Sequence, residues 1–74
     1  MNNKCVNFRY IQKVRPYRDL TFKFYNDGRL VILDNVSEEV ILPKDLKGDC
    51  REFYVHKRIL FIKNKLVASQ LKYA

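Results

Sequence analysis

Residues 20–33, Leu-Thr-Phe-Lys-Phe-Tyr-Asn-Asp-Gly-Arg-Leu-Val-Ile-Leu, decide the fold. Leu20, Phe22 and Phe24 alternate with Thr21, Lys23 and Tyr25, a period of two that puts three large apolar side chains on one face of a strand. Asn26 and Asp27 suit a type I turn, and Gly28 supplies the positive φ that closes a three-residue hairpin loop with a bulge. Tyr25 then faces Arg29, and Leu30 and Ile32 join Phe24 and Phe22 on the buried face. The return arm Leu30–Leu33 is apolar on both sides, which marks a central strand. An isolated hairpin is marginal in water, so other strands must cover this one.

On the N-terminal side, Val6, Phe8, Tyr10, Gln12 and Val14 alternate with Asn7, Arg9, Ile11, Lys13 and Arg15. This pattern predicts a long first strand, Cys5 to Val14, with one basic face. A helix competes, with Val6, Tyr10, Ile11 and Val14 as its apolar set. Pro16 lacks an amide donor and pushes Arg15 toward extended geometry, so residues 15–19 are expected to turn into the hairpin.

On the C-terminal side, residues 34–38 read as a turn and Glu39 to Leu42 as a short fourth strand. Pro43 to Gly48 predicts one helical turn, with Pro43 at its start, Gly48 as left-handed cap and Leu46 plugging the core. Arg51 to Val55 and Ile59 to Lys63 are predicted strands joined by a tight turn at Lys57-Arg58. A further turn near Asn64-Lys65 feeds Leu66 to Ser69.

The expectation is therefore a single all-β domain over residues 1–74, an antiparallel barrel or meander of OB-like or SH3-like type. It would have five to seven short strands and one helical turn near residues 43–48. The expected core is Val6, Phe8, Leu20, Phe22, Phe24, Leu30, Ile32, Leu42, Val55 and Phe61. A chain of 74 residues buries only about 60% of its unfolded surface, so this core has little to spare.

Composition narrows the function classes. An apolar content of 47% with 14% aromatics argues against disorder. The longest apolar runs, Leu30–Leu33 and Ile59–Ile62, fall far short of the roughly 18–20 residues that span a bilayer, so no membrane partner is expected. The opening Met-Asn-Asn-Lys-Cys leads into charge-interrupted sequence, which predicts a cytoplasmic, reducing setting. Cys5 and Cys50 are too few and too far apart for a zinc site and are expected to be free thiols. Gly28 and Gly48, the only glycines, lie in no phosphate loop, and no cofactor is expected.

Charge carries the functional reading. The chain is +7 overall, with basic ends: Lys4, Arg9, Lys13, Arg15, Arg18 and Lys23 stand against Asp19, and Arg51, Lys57, Arg58, Lys63, Lys65 and Lys72 against Glu52. The middle is acidic. Arg9, Lys13 and Arg15 are expected on the outward face of the first strand, with Lys23, Tyr25 and Arg29 on that of the hairpin. Tyr17 in the turn and Lys57 and Arg58 complete a basic, aromatic surface of the kind that binds single-stranded RNA or DNA, with cations for phosphates and rings for bases. The alternative is a protein-binding module, such as a phage- or plasmid-type inhibitor or adaptor of a host enzyme, docking on an acidic protein partner. Ile11, Val31 and Leu33, apolar and outward, raise a homodimer as a further option. Glu52, Tyr54 and His56 share a strand face beside Lys57 and Arg58, but with no second base or metal set the expectation is a strand end rather than a ribonuclease-like site. No enzymatic activity is expected.

Overall fold

The structure is a computed structural model that describes residues 4–67 together with the strand at 70–71. The chain is all-β, with no α-helix among the described residues. Its strands are β1 (Cys5–Gln12), β2 (Arg18–Tyr25), β3 (Leu30–Asp34), β4 (Glu39–Ile41), β5 (Phe53–His56), β6 (Ile59–Ile62), β7 (Lys65–Leu66) and β8 (Gln70–Leu71). Two antiparallel sheets result, one in the order β4–β3–β2–β1–β8 and one in the order β5–β6–β7.

The organising hairpin forms in the expected register, Phe24 opposite Leu30 and Phe22 opposite Ile32. Its loop closes through Tyr25 N–H to the Arg29 carbonyl at 2.9 Å, with Gly28 at φ +93°. A side chain there would be strained, which is why the position takes glycine. β1 pairs along the whole of β2, from Cys5 opposite Tyr25 to Gln12 opposite Arg18.

Phe22 links the two sheets. It is fully buried, and its ring packs 5.4 Å from that of Phe53. Around it lie Phe8, Leu20, Ile32, Leu46, Cys50, Leu60, Ile62 and Val67, with Val6, Leu30 and Val55 partly buried against them. At about 25 cal/mol per Å² of apolar area, these side chains are the main term opposing chain entropy.

Several expectations need correction. Eight strands form rather than five to seven: the last predicted segment gives β7, entered through a turn at Lys63-Asn64, one residue earlier than predicted, and β8 is a two-residue ladder too short to signal itself in the sequence. Among the described residues the ladders give two sheets and no closed barrel: beyond β4 the chain runs through 3-10 turns, and β5 pairs with β6 alone. The first strand ends at Gln12 rather than Val14, because the Gln12 side chain turns inward to hold the following loop. The single helical turn is two 3-10 turns, Pro43–Asp45 and Gly48–Arg51. Pro43 does open the first and Leu46 is buried as expected, but Gly48, at φ +81°, opens the second turn instead of capping the first.

In the core, Leu42 is 52% exposed. β4 ends at Ile41, which pairs with Ile32 and takes the inward place, so its neighbour must point out. Phe61 also faces outward. The two-residue turn at Lys57-Arg58 sets Val55 opposite Leu60 and Tyr54 opposite Phe61, so Val55 and Phe61 cannot share a face. Leu60 and Ile62 fill the interior instead. Phe24 points inward but lies at the end of the sheet, half-buried. Of the predicted last segment, Ala68 and Ser69 lie outside the described residues.

Candidate functional site

The β2–β3 loop and the β5–β6 turn meet at one end of the molecule, called the tip below. In the loop, Asp27 accepts from the Arg29 backbone N–H at 3.0 Å and from Arg29 Nε at 2.8 Å. The Arg29 amide is the first cause of a carboxylate pKa below its ordinary value. Held this way, the guanidinium lies 4.7 Å from the Tyr25 ring centroid, a cation–π contact. Asn26 N–H donates to the Lys4 carbonyl at 3.1 Å, which brings the start of β1 to the same end.

The β5–β6 turn comes in from the other sheet. Arg58 lies over Phe24, 5.6 Å from its centroid. Lys57 and Arg58 both have left-handed backbone, φ +52° and +61°. This is the geometry a two-residue hairpin of the favoured hand demands, and Asn-Gly is the sequence that adopts it most easily. Each non-glycine residue there costs on the order of 1 kcal/mol. Tyr25, Arg29, Lys57 and Arg58 are thus gathered at the tip, with Lys4 added and Asp27 the acid among them.

The other expected site residues lie elsewhere. Gln12, fully buried, donates from Nε2 to the Pro16 carbonyl at 2.6 Å and accepts from Cys50 N–H at 2.8 Å. It ties the 13–17 loop, whose Arg15–Pro16 bond is cis, to the second 3-10 turn. Lys13, Arg15 and Tyr17 are exposed on that loop, at the far end of β1. Eight strand residues at about 3.3 Å each separate the two ends by roughly 25 Å. Lys13 and Arg15 therefore do not share a strand face with Arg9, contrary to the sequence expectation. Lys23 is on the outer face of the large sheet, between Asn7 and Val31, two residues from Tyr25 and on the same face as expected, so it borders the tip.

Arg9, on the same outer face, is engaged by Asp19. Its Nε and Nη2 donate to the two carboxylate oxygens at 3.0 and 2.7 Å. Asn35 also donates to Asp19, at 2.9 Å, and accepts from the Thr21 hydroxyl at 2.9 Å. The Arg9 hydrogen bond, followed by that from Asn35, holds the Asp19 pKa at about 2. Arg18 pairs with Asp34 at 3.0 Å. Burial opposes ionisation of Asp34, but the Val36 and Ser37 amides and Arg18 outweigh it and keep its pKa low. These are structural pairs.

The chain matches no protein family, no curated protein and no solved structure. Functional evidence therefore comes from the side chains themselves. Among the described residues no group of three or more His, Cys, Asp or Glu side chains gathers to hold a metal, and no helix is long and apolar enough to cross a membrane. Cys5 starts β1 at the tip while Cys50 lies beside Gln12, so the two free thiols are at opposite ends. Tyr54 and His56 do share the outer face of β5. There Tyr54, 45% exposed, stacks on Phe61 with centroids 4.9 Å apart and planes 7° from parallel. Ile59 and Leu66 extend this patch across the small sheet.

Two tip contributors escaped sequence reasoning. Lys4 was legible in principle, because pairing the first strand with the hairpin in full register brings its start to the loop. The Arg58–Phe24 contact was not, since it depends on how the two sheets pack.

Proposed function

We propose that this chain is a small basic module that binds single-stranded RNA or DNA through its tip, with Lys4, Arg29, Lys57 and Arg58 as phosphate contacts and Tyr25 as the aromatic platform. The observation that supports it best is Lys57-Arg58 in left-handed backbone, a pair that folding alone would replace with Asn-Gly. Lys63-Asn64 in the β6–β7 turn has the same backbone, so what points to binding is that the Lys57-Arg58 turn coincides with Tyr25, Arg29 and Lys4 at one end of the molecule. Asp27 and the Tyr25 ring fix Arg29, and the Phe24 ring lies under Arg58, which lowers the entropy lost when a phosphate is gripped. The surface does not depend on barrel closure of the OB-like or SH3-like kind.

The test is fluorescence anisotropy with labelled single-stranded oligonucleotides over a salt series. Log affinity should fall with log salt by about 0.7 per phosphate neutralised, and Lys57→Ala should remove roughly one contact from that slope. Replacing Lys57-Arg58 by Asn-Gly should stabilise the turn yet weaken binding. A variant that binds like the parent refutes the tip.

A second reading, a protein-binding module with an acidic partner, is favoured by the exposed Tyr54, Ile59 and Leu66 on the small sheet. Aromatic and aliphatic side chains open to solvent on one face are suited to a protein interface. On that reading oligonucleotides bind weakly and without a Tyr25 effect, and Leu66→Ser abolishes capture of the partner.

A further inference from the structure

The 13–17 loop, at the opposite end from the tip, is held in a way its own packing does not need. Lys13, Val14, Arg15 and Tyr17 are all exposed on it, Val14 at 47% and Tyr17 at 61%. Yet a fully buried glutamine fixes its shape: Gln12 Nε2 donates to the Pro16 carbonyl at 2.6 Å, and Gln12 Oε1 is anchored by the Cys50 N–H at 2.8 Å. Gly48 completes the anchor, because a Cβ there would collide with the Gln12 amide. Burying an amide is costly unless its hydrogen bonds are made, and here nitrogen and oxygen are both bonded. What the arrangement secures is the presentation of four exposed side chains on a fixed loop.

The charges around the loop leave it basic. Carboxylates close to it in the ladders and the second 3-10 turn are engaged: Asp19 by Arg9 at 2.7 Å, Asp34 by Arg18 at 3.0 Å and Asp49 by Lys63 at 3.4 Å. Lys13 and Arg15 have no carboxylate within ion-pair distance among the described residues. Glu38 and Glu39 belong to the same end of the large sheet but lie on the β4 side, three strands from β1 and roughly 14 Å across. The loop therefore shows two uncommitted cations and an exposed ring.

We infer that the 13–17 loop is a second contact site for single-stranded RNA or DNA, with phosphates on Lys13 and Arg15 and a base stacked on Tyr17. The ligand class is carried over from the tip, so this site rests on that reading. The loop repeats the tip's chemistry with other residues: cations for phosphate, a tyrosine for a base, and a backbone fixed before the ligand arrives. Phosphate contacts give affinity at both ends, whereas Tyr17 separates a strand from a merely anionic ligand, since only a base gains from stacking on the ring. The two sites are about 25 Å apart, the length of β1. Single-strand sites of roughly 4–16 nucleotides cover such a span. The shared chemistry admits one strand held at both ends or two strands held by one protein.

Amide chemical shifts of the full chain, followed while adding single-stranded oligonucleotides of about 4 and about 16 residues or inorganic phosphate, test this. Saturable movement with oligonucleotide is expected in two groups, residues 25–29 with 57–58 and residues 13–15 with 17, and phosphate alone should move the second group far less. Tyr17→Ala, at an exposed position, should keep the parent's spectrum elsewhere and weaken the loop's response about fivefold or more, as for loss of one base stack. Arg15→Ala should weaken it too, and flatten its salt dependence by about one phosphate contact. A rise in affinity on lengthening that Tyr17→Ala abolishes identifies one strand held at both ends. Energy transfer between two differently labelled short oligonucleotides on one protein identifies two strands. Movement at the tip alone overturns the second site and leaves the first standing, while movement at the loop alone keeps the second and refutes the tip. No movement at either end, phosphate acting on the loop as strongly as an oligonucleotide, or a Tyr17→Ala loop that responds like the parent would overturn the inference.

Discussion

Leu60 and Phe61 are neighbours, and hydrophobicity alone ranks Phe61 as the costlier loss. The structure reverses that order. Leu60 is fully buried between the sheets, so Leu60→Ala leaves a cavity and should cost about 3–4 kcal/mol, within the usual span for such truncations. Phe61 is on the outer face against Tyr54, so Phe61→Ala forfeits a stacked pair and part of a half-exposed ring, about 1–2 kcal/mol. A domain of this size has roughly 4–11 kcal/mol of stability, so Phe61→Ala should stay folded, whereas Leu60→Ala comes close to removing the whole margin at the low end of that range. With a urea slope of about 1–1.5 kcal/mol per molar, Leu60→Ala should lower the unfolding midpoint by about 2–4 M and Phe61→Ala by about 0.7–2 M. Urea titrations followed by far-UV circular dichroism read both. If Phe61→Ala is the more destabilising, the second hairpin is in the opposite register and the interior described above is wrong.

Further outcomes follow from other contacts. A Cβ on Gly48 would come within 2.6–2.8 Å of the Gln12 side-chain amide and sit at φ +81°, so Gly48→Ala should lower the midpoint by more than an exposed Gly→Ala does. Adding Gln12→Ala should remove the part of that loss due to the clash, and a double-mutant cycle measures it. Asp19 has a folded-state pKa of about 2 against an ordinary value near 4, so its contribution is present above about pH 4 and fades as the pH falls toward 2. Asp19→Asn should flatten the acid limb of a stability profile over that window, and an unchanged limb would discount the Arg9 pair. Cys50 is fully buried, with its thiol pKa raised by burial, while Cys5 is only half-buried. A thiol reagent should therefore modify one cysteine in the folded protein and the second only on unfolding, and fast reaction of both would contradict the packing.

How far the fold was legible depended on whether the deciding signal was local. The β2–β3 hairpin was fully readable, because alternation and the Asn-Asp-Gly loop fix pairing within fourteen residues. The second hairpin was readable in place but not in face. Its residues Ile59–Ile62 are apolar without interruption, so periodicity is silent and only the length of the turn decides which side is buried. Leu42 failed for a similar reason, since Val40, Ile41 and Leu42 are all aliphatic and the pairing of Ile41 with Ile32 chooses among them. Alternation put Gln12 on the face of Val6 and Phe8, but its partners, Pro16 and Cys50, the latter 38 residues away, could not be read from it. The candidate site was half legible. Charge and aromatic content named residues that the fold gathers at the tip, Tyr25, Arg29, Lys57 and Arg58, but a basic face drawn along the first strand could not anticipate that Asp19 occupies Arg9 or that Lys13 and Arg15 leave the strand.

The order of the strands also governs how the chain finds its fold. Of the ladders seen, β1–β2, β2–β3, β3–β4, β5–β6 and β6–β7 all join sequence neighbours, so each can zip from its own turn with little loop to close. Only β1–β8 joins opposite ends of the chain, Asn7 with Leu71 and Phe8 with Gln70. That gives a low contact order for an all-β protein and rapid folding for its class, with the pairing of β8 on β1 forming last and opening first. Hydrogen exchange should thus find the amides of β2 and β3 the slowest in the molecule and those of β8 among the quickest, a gradient of protection that runs from the central hairpin outward.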